Sequence, residues 1–302
     1  MNSSAIEHIP VLAEALAEQI SLPQDAVMVD STIGHGGHSW LFGQSLGPNA
    51  VILGFDLDEN SIKKANEKLS PLDCRIILIN DNFANILGRI REHDIENVDF
   101  ILADLGVSSS QLADFDKGLS FLQDMPLDMR IDKRIKTTAA DIVNKMDEKS
   151  LADLIFRFGQ DRASRRIARF IVRQRAEKPI ETTGQLAAIV CRAFGKTAKG
   201  KRRRIHPATR TFQALRIAVN NELENLENLL EQAPRLLRDN GYIAIISFHS
   251  LEDRIVKNNF KENKINGLYR IITKKPIVPE RGEIVQNRRA RSAKLRIAQK
   301  IG

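Results

Sequence analysis

The stretch Ala26-Val-Met-Val-Asp30-Ser-Thr-Ile-Gly34-His-Gly36-Gly37-His38-Ser39 decides the fold. A short apolar run ends in an aspartate, and glycines follow where the chain must turn tightly before a helix. Apolar runs of the same kind recur at 51–56, 75–79 and 98–104, and helix-like stretches at 39–46, 59–69 and 83–91 separate them. Strands and helices that alternate at this spacing predict an α/β fold with a doubly wound, parallel sheet.

Outside these four strands the chain has a helical start, a helical middle part and a second α/β part. An amphipathic helix is expected at 10–20, and from about residue 111 helices are expected at 150–158, 163–175 and 183–194 with no strand between them. The α/β pattern resumes with one long helix at 211–238, which Asn240-Gly241 ends, followed by a strand at 242–247, a helix at 250–260 and a strand at 294–299. We therefore predict a core formed by residues 1–112 and 213–302, and an inserted helical domain over 113–212.

The charge is divided unevenly along the chain. The net charge of +8 is the sum of −11 for residues 1–150 (13 Lys/Arg, 24 Asp/Glu) and +19 for residues 151–302 (33 and 14). A half-chain this basic is typical of proteins that bind a polyanion, because neutralising phosphates releases counterions. Solvated helix faces are the alternative interpretation.

Composition narrows the class of protein. A hydrophobic content of 42% excludes wholesale disorder, and no apolar stretch is long enough for a bilayer span. Acids in the first 25 residues argue against a signal peptide, and Cys74 and Cys191 lie far apart, as in a reducing compartment. We expect a soluble, cytoplasmic protein with no metal site.

Acidic and polar residues follow the predicted strands at the edge where open sheets bind ligands. Gly34 and Gly36 allow close approach of a ligand, and Asp56, twenty residues after Gly36, is placed to hold ribose hydroxyls. Phe83, after Asp81-Asn82, could flank an adenine ring. Asp104 brings a carboxylate toward the reactive end of the bound cofactor. Ser39 stands where a nicotinamide fingerprint has its third glycine, so S-adenosylmethionine is favoured over a dinucleotide.

Each of these residues also has a structural interpretation. Asp30 and Asp104 could cap the next turn, Phe83 could belong to the core, and the glycines could only relieve strain. His35 and His38 form an HxxH pair, but no third ligand is suitably spaced for a metal.

Longer strings resemble a known family. They are 30–39, 104–112 (Asp-Leu-Gly-Val-Ser-Ser-Ser-Gln-Leu), 118–130, 206–216 (His-Pro-Ala-Thr-Arg-Thr-Phe-Gln-Ala-Leu-Arg) and 246–254 (Ile-Ser-Phe-His-Ser-Leu-Glu-Asp-Arg). They resemble the bacterial ribosomal RNA small subunit methyltransferase H family, also called MraW, from residue 8 to residue 296. The resemblance implies a Rossmann-like class I methyltransferase core with an inserted helical RNA-recognition domain.

The resemblance also implies an activity and a site. The activity is transfer of a methyl group from S-adenosylmethionine to the exocyclic N4 of a cytidine in 16S ribosomal RNA, in the decoding region of the small subunit, and a homodimer is plausible. By motif position Gly36, Gly37 and His38 lie along the methionine part of the donor, Asp56 on the ribose and Phe83 beside the adenine. Asp104 and Gln111 lie near the donor.

Asp104 is the candidate catalytic residue. A cytosine amine is a weak nucleophile, so alignment and an acceptor for its N–H matter more than a strong base. In this interpretation the aromatic ring of Phe248 or His249 stacks on the target base. Alternatively, Ser250 and Asp253 form a helix cap and Phe248 belongs to the core.

The basic charge is concentrated where RNA binding is expected. Residues 162–216 carry 16 Lys/Arg and two acids. The candidate RNA-binding residues are Arg165, Arg166, Arg169, Arg173, Arg202, Arg203, Arg204 and Arg210, and pairing of some of them with the acidic half is the alternative. Two other functions stay open: a non-catalytic ribosome-binding or assembly factor, and an oxidoreductase, against which Ser39 speaks.

Overall fold

The computed structural model describes residues 10–107, 111–112, 114–195 and 206–302. The chain forms two compact units, one from Met1–Gly106 with Glu224–Gly302 and the other from Val107–Leu223. The predicted insert, 113–212, lies within the second unit, which begins six residues earlier and ends eleven residues later.

The first unit is built on a seven-stranded sheet in the described residues. Its strands lie in the order β3-β2-β1-β4-β5-β7-β6. The pairings from β3 across to β5 are all parallel, whereas β7 runs antiparallel to both β5 and β6. The predicted doubly wound α/β sheet is therefore confirmed, and its wholly parallel character is corrected at one end. The strands are β1 (Val27–Asp30), β2 (Val51–Phe55), β3 (Arg75–Ile79), β4 (Val98–Asp104), β5 (Leu237–Ser247), β6 (Tyr269–Ile271) and β7 (Lys294–Lys300).

Alternate residues of the central strands enter separate apolar clusters. Val29 and Ile101 belong to one cluster, whereas Met28 and Phe100 belong to another. Because successive side chains point to opposite faces of a strand, the sheet is covered on both faces. The helices of this unit are α1 (Ala13–Gln19), α2 (Gly37–Gly43), α3 (Glu59–Leu69), α4 (Ile86–Arg91), α11 (Ser250–Ile265) and α12 (Arg281–Gln286), together with most of α10 (Glu222–Leu236).

The second unit is helical and has a core of its own. Leu151, Ile167, Leu186 and Leu215, from four different helices, are all fully buried in it. The Thr182 hydroxyl and the Gln185 side chain form a capping box at the start of the third of these helices, which is why that helix begins where the sequence predicts. The helices are α5 (Ala139–Lys145), α6 (Glu148–Gly159), α7 (Ser164–Glu177), α8 (Thr183–Phe194) and α9 (Thr209–Asn220).

The predicted long helix at 211–238 is wrong. Asn221 takes a left-handed conformation, with φ of 50°, and divides it into α9 and α10. Asparagine tolerates this conformation better than most residues, so the break has a local cause. Leu215 on α9 packs in the core of the helical unit, whereas Leu226 on α10 packs against the sheet. The boundary between the two units therefore lies after residue 212, the position at which the sequence predicts it.

Candidate functional site

The loop after β1 brings glycines to the carboxyl edge of the sheet. Gly34 and Gly36 have φ of 51° and 77°, a region that residues with a side chain rarely adopt. Gly36 immediately precedes α2, and a Cβ atom on Gly37 would lie 3.0 Å from Cγ of Pro10. The two predicted cofactor glycines therefore form a tight turn that opens a helix.

Asp56 ties the ends of β1 and β2 together. Its Oδ2 accepts a hydrogen bond from the Gly34 amide at 3.0 Å, and its Oδ1 accepts one from the Asp58 amide at 2.8 Å. The residue predicted to hold the ribose is thus held rigidly beside the glycine turn.

Asp30 lies in the interior at the end of β1. It is 1% exposed, and its Oδ2 accepts a hydrogen bond from the Ser39 hydroxyl at 2.8 Å while its Oδ1 accepts one from the Thr32 amide at 3.2 Å. Burial raises the pKa of Asp30, although His38, Ser39 and Thr32 oppose the rise. The serine in the third glycine position therefore anchors a buried carboxylate, a role that the sequence interpretation missed.

His38 and Asp104 face each other at the same edge. The distance from His38 Nε2 to Asp104 Oδ2 is 3.6 Å, and the two side chains are 7% and 21% exposed. The Asp104 amide donates to the Thr32 hydroxyl at 2.7 Å, which fixes the end of β4 against the loop. Within the described part of the chain, Asp104 Oδ1, both ring nitrogens of His38 and the Ser31 hydroxyl have no hydrogen-bond partner. Several polar atoms are thus left for a ligand in a buried place.

The segment after β3 contains Asp81, which has a structural role, and Phe83, a candidate for the cofactor site. Burial favours a raised pKa for Asp81, but hydrogen bonds from Arg89, Asn82 and Asn85 lower it. The Arg89 Nε to Asp81 Oδ2 distance is 2.7 Å, so this carboxylate has a structural partner. Phe83 begins a short 3₁₀ turn and packs half-buried against the sheet core.

Phe248 and His249 are both held firmly after β5. The Phe248 ring lies against Gly106, where a Cβ atom would come within 3.0 Å of it. His249 precedes α11, and its ring Nδ1 accepts from the Glu252 amide at 3.3 Å while the Glu252 carboxylate accepts from the Phe248 amide at 2.8 Å. The predicted cap at Ser250 and Asp253 is therefore wrong by one residue.

Asp253 has another role. Its two carboxylate oxygens accept hydrogen bonds from Lys294 Nζ at 3.0 Å and Arg296 Nε at 2.7 Å. These hydrogen bonds join α11 to β7, so these two cationic side chains stabilise the fold.

The predicted arginine residues of α7 share one exposed face. Ile167, Ala168 and Ile171 form the buried face of α7. Arg165, Arg166, Arg169 and Arg173 are exposed, and we call these four residues the arginine stripe. Arg169 lies 3.7 Å from Glu148, and the Arg166 guanidinium lies 5.7 Å from the centre of the Phe194 ring.

The other predicted residues lie elsewhere. Arg210 is exposed and donates to the Gln160 carbonyl at 3.2 Å, and Gln111 is buried in the second unit, outside the unit that carries the other cofactor candidates. Arg202, Arg203 and Arg204 lie outside the described residues. No helix in the described ranges is long and apolar enough to cross a bilayer.

A glycine turn with carboxylates at the carboxyl edge of a doubly wound sheet is the arrangement with which α/β enzymes hold an adenosine-containing cofactor. A model of the MraW methylase family matches residues 5–301, and the chain belongs to this family. The resemblance predicted from the sequence motifs is thus confirmed. Membership in a methylase family bears out the Rossmann-like methyltransferase fold and the methyl donor S-adenosyl-L-methionine.

Individual proteins show the same similarity. The chain is 43% identical over 311 residues to the ribosomal RNA small subunit methyltransferase H of Clostridioides difficile, covering 97% of this chain and 99% of the relative. It is 44% identical over 313 residues to the protein of that name from Syntrophobacter fumaroxidans, covering 99% and 98%. A solved rRNA methylase from Streptococcus thermophilus aligns at 13% identity and a TM-score of 0.43, covering 96% and 94%.

Proposed function

We propose that this chain transfers a methyl group from S-adenosyl-L-methionine to the exocyclic N4 of a cytidine in 16S ribosomal RNA, in the decoding region of the small subunit. The name of its full-length relatives supports a ribosomal RNA substrate. The observation that carries the proposal is the Asp104 carboxylate at the end of β4, whose Oδ1 has no partner among the described residues. The activity is that of an rRNA cytosine-N4 methyltransferase.

The residues at the sheet edge fit the proposed donor. The turn at Gly36 and Gly37 leaves backbone amides at the start of α2, and His38 offers two ring nitrogens without partners in the described chain. Asp56 is held so that its carboxylate can accept from ribose hydroxyls, and Phe83 presents a half-buried ring. The family motif also implies Gln111, and its role stays a prediction.

The chemistry asks little of the protein beyond alignment. S-adenosyl-L-methionine supplies an activated methyl group, and the exocyclic nitrogen of cytosine is the nucleophile. That nitrogen gains positive charge as its lone pair leaves the ring, and a carboxylate that accepts its N–H stabilises this charge. Asp104 is partly buried, which strengthens the interaction relative to water, and Thr32 fixes its backbone. In this proposal Asp104 is the catalytic residue.

A target base must leave its stack to reach a buried carboxylate. Phe248 is the candidate to receive it, because its ring lies against Gly106, two residues after Asp104. The arginine stripe, with Arg210 and the arginines at 202–204, is proposed to contact the phosphate backbone. A cytoplasmic location accords with a ribosomal substrate, and the homodimer stays a prediction.

The test is a transfer reaction. The protein is incubated with labelled donor and small subunits that lack the modification, and the nucleosides are analysed by mass spectrometry. The proposal expects label in N4-methylcytidine. Label only in another nucleoside rejects the position of transfer, whereas binding of the subunit without any transfer supports a non-catalytic assembly factor instead.

A further inference from the structure

His38 is a buried imidazole with nothing to bond to in the described chain. The residue is 6% exposed, and neither ring nitrogen has a hydrogen-bond partner among the described residues. An unsatisfied buried polar atom destabilises a folded protein, so two of them in one side chain need a reason. Nε2 lies 3.6 Å from the Asp104 carboxylate rather than in an apolar core.

The groups that face this ring come from two strands. Asp30 at the end of β1 and Asp104 at the end of β4 interact electrostatically with it, and the Nε2 to Asp104 Oδ2 distance is 3.6 Å. The neighbouring elements meet this loop differently. Asp56, after β2, bonds backbone amides, and α3 meets Gly36 with the apolar Ala65 and Leu69, while His35 precedes on the same loop. The cluster therefore holds two carboxylates and one group that can take up a proton.

The proposed reaction moves one positive charge out of the cofactor and releases one proton. The cytosine nitrogen forms a bond to the methyl carbon, and the bond from that carbon to sulfur breaks with its electron pair on sulfur. A sulfonium cation thus becomes a neutral thioether. The nitrogen then loses one N–H proton, which the Asp104 carboxylate accepts.

A change in the total charge of a buried site is unfavourable, because the protein interior screens charge less well than water does. With a neutral imidazole, the negative charge of the Asp104 carboxylate and the positive charge of the bound sulfonium sum to zero. With the neutral product bound, the same total requires one added proton. Imidazole is the side-chain group whose ordinary pKa, about 6.5, allows it to take up a proton near neutral pH.

We propose that His38 is the group that takes up and releases a proton in this site. Its ring is neutral when the sulfonium donor is bound and protonated when the neutral product is bound. The proposal rests on the proposed function for the identity of the donor. The proton that Asp104 accepts from the amine passes to His38 Nε2, which regenerates the carboxylate. The positive charge that leaves with the methyl group is thereby replaced within the site.

The direction of the pH dependence follows from this assignment. Product binding is favoured by the protonated imidazole, so product affinity is greatest at low pH and falls as pH rises. Donor binding is favoured by the neutral imidazole and changes in the opposite direction. The ratio of product to donor affinity should therefore fall by up to about tenfold per pH unit.

The experiment is calorimetric titration of the full chain with S-adenosylhomocysteine and, separately, with S-adenosylmethionine. Each titration is run at a pH of about 6.5 in two buffers of different ionisation enthalpy, which counts the protons exchanged. We expect uptake of up to about one proton with the product and release with the donor. Histidine-labelled protein observed by NMR should show the ring charged in the product complex and neutral in the donor complex.

Two variants locate the proton. In His38→Gln the difference in proton count between the two ligands should be lost, whereas Asp30→Asn should keep it. Equal proton counts for both ligands in the unaltered protein overturn the inference even if the variants do not fold. A difference that survives in His38→Gln also overturns it, whether or not Asp30→Asn keeps the difference. If neither ligand binds the unaltered protein, the proposed function fails and the inference with it.

Discussion

The substitution Asp104→Asn should slow methyl transfer by removing charge while keeping shape. The structure sets the scale. The carboxylate is 21% exposed, so an effective dielectric of about 20 applies, and a unit positive charge at 3.6 Å, the distance of His38 Nε2, would interact by about 4.6 kcal/mol. Half a charge on the cytosine nitrogen gives about 2.3 kcal/mol. The expected slowing lies between roughly 50-fold and 2,000-fold, which overlaps the range of about 10²–10⁴-fold for acid–base contributions.

The assay is single-turnover transfer from labelled donor to unmodified small subunits. Calorimetry with the donor separates a defect in chemistry from a defect in binding. Glu227→Gln, an exposed residue on α10, makes the same change of charge away from the site and should react at the unaltered rate. A rate for Asp104→Asn within threefold of the unaltered protein, with donor bound, would refute the role of this carboxylate.

Three further variants test other parts of the account. Arg165→Glu with Arg173→Glu should weaken RNA binding and reduce the slope of log affinity against log salt by about 0.7–0.9 for each phosphate that is no longer neutralised, without changing donor affinity; filter binding over a salt series measures this, and an unchanged slope contradicts it. Ser39→Ala should lower the free energy of unfolding by about 1.5–3 kcal/mol in urea titrations, because it removes a hydrogen bond to a buried carboxylate, whereas Ser70→Ala on the surface should change it by less than about 0.5. Asp253→Asn should destabilise the protein most above pH of about 4 and progressively less as pH falls. Burial favours a raised pKa for this carboxyl, but its hydrogen bonds lower the pKa in the folded state, so its contribution to stability disappears on acidification. A destabilisation independent of pH would argue against this pairing.

Local sequence signals were enough for much of the first unit. The structure has α3 at Glu59–Leu69 and β3 at Arg75–Ile79, as predicted, because clear apolar periodicity and end signals mark both. β6 has three residues at the edge of the sheet, and such a short strand leaves no readable pattern. Its presence and the antiparallel direction of β7 depend on pairing between distant segments, which composition does not encode.

Other departures have local causes that compete with simple patterns. The apolar repeat continues across Asn221, so only the left-handed conformation of that residue reveals two helices. The cap of α11 uses a histidine ring where the sequence rule looks for a hydroxyl or carboxylate, which moved the predicted cap to Ser250.

The candidate site was predicted at the level of strand ends and not of individual side-chain pairs. The sequence predicts Gly36, Asp56 and Asp104 at one edge of the sheet because parallel strands bring their carboxyl ends together. The bond from Ser39 to Asp30 and the approach of His38 to Asp104 depend on how α2 turns over the sheet, and no spacing in the sequence indicates them.

The most direct measurement is nucleoside mass spectrometry of 16S ribosomal RNA from a bacterial strain that lacks this gene, complemented with the unaltered chain or with Asp104→Asn at equal expression. Digestion of the RNA into fragments assigns the modified cytidine to a region of the small subunit. The account predicts N4-methylcytidine in the decoding region with the unaltered chain and little or none with the variant. Absence of N4-methylcytidine with the unaltered chain, or equal amounts with both, would contradict it.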